Sequence, residues 1–222
     1  MSPSQGGPLL NAGPTRRFVA LLAPLLLAGC VSLGIGESAA PHTHHVLHDA
    51  AAATERRAEP LVPALLIQPM PADALADTAS MAYSRQAHQF AFYQLASWAE
   101  RPVRQLPRLL QRRLEARGVA TAVGMFGEPM RADWLLVIGV DTLHHDISVP
   151  PGLARLAVTV ELFDQRKRTR VARRQFEASA PTATADSAAA AAALSQAVAL
   201  VFDALLPWLE GELQNATAKV AP

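Results

Sequence analysis

The chain has 222 residues, half of them hydrophobic, with 20 Lys and Arg against 19 Asp and Glu, a formal net charge of +1. That near-neutral balance excludes a protein built to grip nucleic acid, which carries a strong basic footprint. A single cysteine, Cys30, excludes an intrachain disulfide, so stability must come from a packed core. About 150 residues suffice for one such domain.

Arg16 and Arg17 are the only charged residues ahead of Cys30, and Phe18 to Gly29 is an uncharged run dominated by Leu, Ala and Val. A positive start, a short apolar run and small residues at the end are the order of a secretory signal over residues 1–29. The run is too short for a stable span, which needs about 20 apolar residues. Its end, Leu27-Ala28-Gly29-Cys30, resembles a bacterial lipobox. The resemblance implies that the Cys30 sulfur receives a diacylglyceryl group, that the chain is cut just before it, and that the new amino terminus is acylated. Cleavage would remove two arginines and no acids, leaving 18 basic residues against 19 acidic, or −1. Val31 in place of Asp, by resemblance to enterobacterial sorting, implies the outer membrane, periplasmic face.

Residues 30–62 read as the lipidated cysteine and a flexible His- and Ala-rich tether, with no sustained period and charges clustered in "TERRAEP". His42, His44, His45 and His48 lie in this segment, and short His-rich tracts can bind zinc or copper. A tight metal site needs fixed geometry and supporting partners, which a flexible tether does not supply, so only weak metal binding is expected.

The folded domain is expected over residues 63–214. Leu65 to Ile67 reads as a first strand, followed by a Pro-rich loop. Met81 to Ser84 and Gln89 to Leu95 read as a hairpin, its second strand rich in aromatics. A helix follows, with Val103, Leu106, Leu110 and Leu114 at helical spacing and Gly118 as its stop. Pro107 predicts a start nearer Leu106 than Pro102. Val119 to Met125 reads as a strand. Trp134 to Asp141, extending towards Ile147, Ala154 to Phe163 and Thr169 to Ala178 then form an antiparallel meander. In the middle one, Leu156, Val158, Val160 and Leu162 alternate with Ala157, Thr159, Glu161 and Phe163. Ser187 to Leu213 is an amphipathic helix with Leu194, Val198, Val201, Leu205 and Leu209 on one stripe, and Pro207 predicts a bend or shortening of its last turns. Residues 215–222 read as a disordered tail. The expected class is α+β: one antiparallel-rich sheet of about six or seven strands with two main helices packed on it.

Asp77-Thr78, Met81-Ala82-Tyr83, the aromatic strand through Phe92, Trp98 and Pro102 form a spaced pattern. With "VTVELFDQ", "RRQFEASAP" and the closing "AAAALSQAVALVFDAL", it resembles the auxiliary lipoproteins of ABC-type transport systems, including the paraquat-inducible protein C group. The resemblance covers about Leu65 to Leu213. It implies a non-enzymatic part of a lipid-moving envelope system, with an ATPase, a permease and an MCE-type substrate-binding protein as partners. It also implies a fold like the N-terminal domain of the Tol propeller protein, possible homo-oligomers, no cofactor and no catalytic residues. A structural assembly lipoprotein of another envelope complex and a periplasmic metal-binding lipoprotein are the alternatives.

Arg166, Lys167, Arg168, Arg170, Arg173 and Arg174 crowd one hairpin and read either as a contact for anionic headgroups or an acidic partner, or as a solvated, charge-protected edge. Arg101, Arg104, Arg108 and Arg112 read as the solvent face of the first helix. His144-His145 reads as a solvated turn, and Trp98 and Trp134 as core. The chain has no Gly-x-Ser-x-Gly elbow, glycine-rich phosphate loop or His-Glu-x-x-His pair.

Overall fold

The computed structural model describes residues 40–51, 55–72 and 74–218, and from Pro41 onward these belong to one unit. Residues 1–29, Cys30 and the end of the chain after Ala218 lie outside the described residues.

The elements are β1 (Thr43–His45), β2 (Val62–Pro69), β3 (Ser80–Gln86), β4 (Gln89–Trp98), α1 (Pro102–Arg117), β5 (Ala120–Met125), β6 (Trp134–Asp146), β7 (Leu153–Asp164), β8 (Thr169–Pro181) and α2 (Ser187–Ala218). Alternation in β7 works as expected: Leu156, Val158, Val160 and Leu162 are at most 2% exposed and face the helices. The α2 stripe from Leu194 to Leu209 packs against them. By length and composition α2 could cross a membrane, but 67% of its apolar window is buried inside the fold, as in a core helix.

The eight strands form one mixed sheet, which corrects the expected antiparallel-rich sheet of six or seven. The β3–β4 hairpin and the β6–β7–β8 meander are antiparallel. Four other pairings are parallel: β1 with β4, β2 with β5, β2 with β6, and β3 with β6. Parallel neighbours need a crossover. The segment carrying α1 supplies one, bringing β5 to one side of β2, and the loop after β5 crosses to place β6 on the other.

The sheet forks along β6. Its first half pairs with β2, from Leu65↔Trp134 to Pro69↔Ile138, and its end pairs with β3 at Tyr83↔His145 and Ser84↔Asp146. Gly139 sits at the fork, where an added Cβ would lie 3.0 Å from the Met70 sulfur, so a larger residue there would push the Met70 side chain by a few tenths of an ångström.

The start of α1 and the end of α2 differ from expectation, while the Gly118 stop and the Ser187 start are as expected. α1 begins at Pro102 and keeps Pro107 inside it, buried. Pro107 forfeits only the backbone bond that would reach the Val103 carbonyl, and its ring is covered by the fold. The helix ends at Gly118 in the left-handed region (φ 73°), whose amide donates to the Leu114 and Glu115 carbonyls. α2 continues past Pro207 and through part of the expected tail to Ala218, with Thr217 Oγ1 donating to the Leu213 carbonyl at 2.8 Å.

The largest departure is the supposed tether. Residues 43–45 form an edge strand on β4, and beyond it the chain runs along the seam between the helices. Leu47 is 2% exposed, and its carbonyl accepts from Gln105 Nε2 of α1 (3.2 Å). The His48 amide donates to Ser195 Oγ of α2 (3.3 Å). Asp49 pairs with Arg113 at 2.8 Å, and Arg113 also reaches Asp203 at 3.1 Å. Further on, Arg57 pairs with Glu210 (2.9 Å), which Arg117 also holds (2.6 Å), and the Leu61 amide donates to the Val119 carbonyl (2.8 Å). The segment is a strap bolted to both helices.

Candidate functional site

Several positions offer themselves as functional surfaces, beginning with the histidine tract. The strap fixes the tract, so its geometry can be read. His42 Nε2 and His44 Nδ1 both meet Ser97 Oγ, at 3.0 and 2.8 Å, with their rings 5.0 Å apart. His45 instead points to Ser187 at the start of α2 (3.2 Å), and His48 Nδ1 lies 3.4 Å from the Val46 carbonyl. The four imidazoles therefore do not converge. Among the described residues no three His, Cys, Asp or Glu side chains gather as a metal would require.

His145 is fully buried, which corrects its reading as part of a solvated turn. The register of β6 against β7 slips between Val140 and Thr142. Before the slip, even-numbered residues face the helices, with Leu136 and Ile138 opposite Leu162 and Val160. After it odd-numbered ones do, with Leu143 and His145 opposite Leu156 and Ala154. His145 Nε2 lies 3.1 Å from the Pro151 carbonyl, which can only accept, so this nitrogen carries the proton. Nδ1 then accepts from the Tyr93 hydroxyl at 2.7 Å, and Thr182 Oγ1 lies 3.1 Å from Nε2. Burial holds His145 below the ordinary histidine value, hence neutral, and pushes Tyr93 up to about 12, hence protonated. The cluster ties β4, β6 and the β8–α2 connection together. Its chemistry is that of a satisfied internal hydrogen-bond network.

At the opposite end of the sheet lies the basic hairpin between β7 and β8. Its turn is capped by Asp164, whose carboxylate accepts the amides of Arg166 and Lys167 at 3.0 Å each. Arg170 and Arg173 both pair with Glu161 across the ladder, at 3.0 and 3.4 Å, and Lys167 pairs with Asp164 at 3.3 Å. Arg166 lies 3.8 Å from Asp133, and the Arg174 guanidinium stacks over Phe176 at 5.2 Å. Arg168 occupies the turn with φ 54°. Internal acids thus neutralise much of this hairpin, in keeping with a charge-protected edge. Arg166 and Lys167 also rim an open cleft of about 540 Å³, with Leu61, Val62, Pro63 and Trp134 below them. The stripe Arg101, Arg104, Arg108 and Arg112 is exposed as expected, and Trp98 and Trp134 are buried.

The end of the sheet that carries His145 has a different surface. Ala82 pairs with Phe92, and the Phe90 ring meets His144 edge-on at 5.1 Å, so Phe90 and Phe92 stand on the face turned away from the helices. Phe90 and Phe92 are 43% and 42% exposed, and Val149, in the neighbouring β6–β7 loop, is 77% exposed. Sequence reading noticed these aromatics but assigned them no surface. Their position depends on the β3–β6 pairing, which no local pattern announces.

A family model described as the ABC-type transport auxiliary lipoprotein component matches residues 45–205. Among solved structures, protein XCC0632 from Xanthomonas campestris, assigned to family DUF330, superposes with a TM-score of 0.72 at 25% identity, covering 79% of this chain and 99% of that one. An uncharacterized protein superposes with a TM-score of 0.58 at 14% identity over 75% and 99%, a likeness of fold alone. Among curated proteins, none matches the chain.

Proposed function

Since the chain belongs to the family of ABC-type transport auxiliary lipoprotein components, membrane-anchored proteins of the cell envelope, we propose that it is a non-catalytic docking component of an envelope transport system. In this reading Cys30 carries the lipid and holds the protein at the periplasmic face of the outer membrane. The partners are an ATPase, a permease and an MCE-type substrate-binding protein, and the cargo is phospholipid or another hydrophobic substrate.

The family match carries the reading, because it spans the strap from residue 45, strands β2 to β8 and more than half of α2. Anchoring supplies the mechanism. A protein confined to one leaflet meets a weakly binding partner at high effective concentration. The strap changes the reach of that arrangement. The spacer expected over residues 30–62 shortens to thirteen steps from Cys30 to Thr43, at most about 45 Å when fully extended. A domain on so short a lead works close to its own membrane.

Affinity purification of the natively anchored protein, with identification of co-purifying proteins and lipids, tests the proposal. Recovery of an ATPase, a permease and an MCE protein supports it; an envelope complex lacking all three favours the assembly-factor alternative. Globomycin treatment tests the anchor separately, since a lipobox precursor accumulates uncleaved under the drug. Light scattering of the detergent-purified protein reads self-association.

A further inference from the structure

We propose that the exposed apolar end of the sheet, formed by Phe90 and Phe92 with Val149 beside them, is a second membrane contact that rests in the interface of the leaflet holding the anchor. The inference rests on lipid attachment at Cys30. β1 runs parallel to β4, with Thr43 opposite Ala96 and His45 opposite Trp98. The start of β1 therefore points along β4 towards its beginning at Gln89, the tip of the β3–β4 hairpin. The described chain thus enters β1 from the side of the hairpin tip, the end of the unit to which the segment carrying Cys30 is joined.

The β6–β7 loop lies at the same end, because Ser84 and Asp146 are partners and the Ile147 amide donates to the Ser84 carbonyl at 2.8 Å. Large apolar side chains are exposed here. Aromatic and aliphatic side chains with basic neighbours suit the headgroup–acyl boundary. Arg85 supplies a basic group at the same end, standing over the Tyr83 ring at 5.4 Å on the other face of the hairpin. The acids at this end are already engaged: Asp146 with Ser148 and Arg155, and Asp186 with the first turn of α2. The crowded cations of the β7–β8 hairpin lie at the far end of β7, pointing away from that leaflet and towards the aqueous side.

The natural chain has one cysteine, which acylation would block, so an introduced cysteine would be the only free thiol. Phe90→Cys, Val149→Cys and, at the opposite end, Arg168→Cys are made in the full-length gene, processed in the cell and purified. Each is labelled with an environment-sensitive fluorophore and reconstituted into phosphatidylethanolamine–phosphatidylglycerol vesicles bearing headgroup-proximal spin-labelled lipid. The proposal expects quenching of at least threefold at positions 90 and 149 and almost none at 168. Vesicle-bound protein with equal quenching at the two ends, or none at either, overturns it. So does quenching that is absent at 90 and 149 while cross-linking from Phe90→Cys in native membranes captures a transporter subunit, because the surface is then a protein interface. Protein that stays in the soluble fraction, with an unmodified Cys30 by mass spectrometry, identifies the anchor as the failed premise and overturns this inference with it. Unchanged circular dichroism and melting temperature confirm that each variant is folded.

Discussion

The strap, residues 43–51 and 55–61, and the basic turn of the β7–β8 hairpin look alike in sequence: both are short of large apolar residues, carry clustered charges and lack an amphipathic period. In the fold they have opposite fates. The hairpin keeps its cations half-exposed and pairs them with acids of its own ladder, where water screens the attraction. The strap places fewer charges in the helix seam, where Arg113 is 6% exposed and Glu210 is 11% exposed on its side chain. Ion pairs there cannot be broken cheaply, because a lost partner leaves a charge in a poorly solvated place. The worth of a charged segment is thus decided by the surface it lands on.

That contrast can be broken most severely at Leu47. Leu47→Ala is expected to destabilise the domain by about 3 kcal/mol through the cavity left between the helices, measured by urea denaturation. A loss below about 0.5 kcal/mol would show the strap to be a passive covering. Next comes Glu210→Ala, which strips the shared partner from Arg57 and Arg117 and should cost about 2 kcal/mol in the same assay. Burial pushes the Glu210 carboxyl up, but Arg117 and Arg57 outweigh it and hold it below its ordinary 4.5. Its contribution is therefore present at neutral pH and lost only as the pH falls below about 4.5.

A smaller effect belongs to the buried network. Tyr93→Phe removes the hydroxyl that donates to His145 and should cost about 1 kcal/mol. The histidine also sets a pH dependence. Because its folded value lies below the ordinary 6.5, the unfolded chain takes up the proton first, and stability falls as the pH drops below 6.5 until the folded form protonates too. His144, also lowered by burial, adds to the same window. His145→Gln should flatten part of this slope in melting curves between pH 7 and pH 5; an unchanged slope would assign it all to His144. The smallest change is expected in the hairpin, where Arg170→Ala should shift stability by less than about 0.5 kcal/mol. A loss as large as that of Glu210→Ala would erase the distinction between the two segments.

Much of the fold was legible where one physical signal dominates. The β7 alternation and the α2 stripe each announce a buried face, and Gly118 announces a left-handed stop. The family pattern was legible too, because it is a spacing of residues along the chain. The candidate surfaces were less so. His145 was misread because the slip at Asp141 reverses which side of β6 faces the core, and periodicity counts residues without seeing an extra one. The strap was missed because its hold depends on single residues, Leu47, Asp49 and Arg57, each meeting a partner far along the chain.

The amino-acid order by itself determined the signal-like start, the lone cysteine, the α+β class and the apolar faces of the major elements, since each is a property of neighbours in sequence. Only the tertiary structure decided which strands lie side by side in parallel, that the strap closes the helix seam, and that the exposed Phe90 and Phe92 lie at the opposite end of the sheet from the crowded cations of the β7–β8 turn. Those outcomes turn on which distant groups can satisfy one another once water is excluded, and no local period records that.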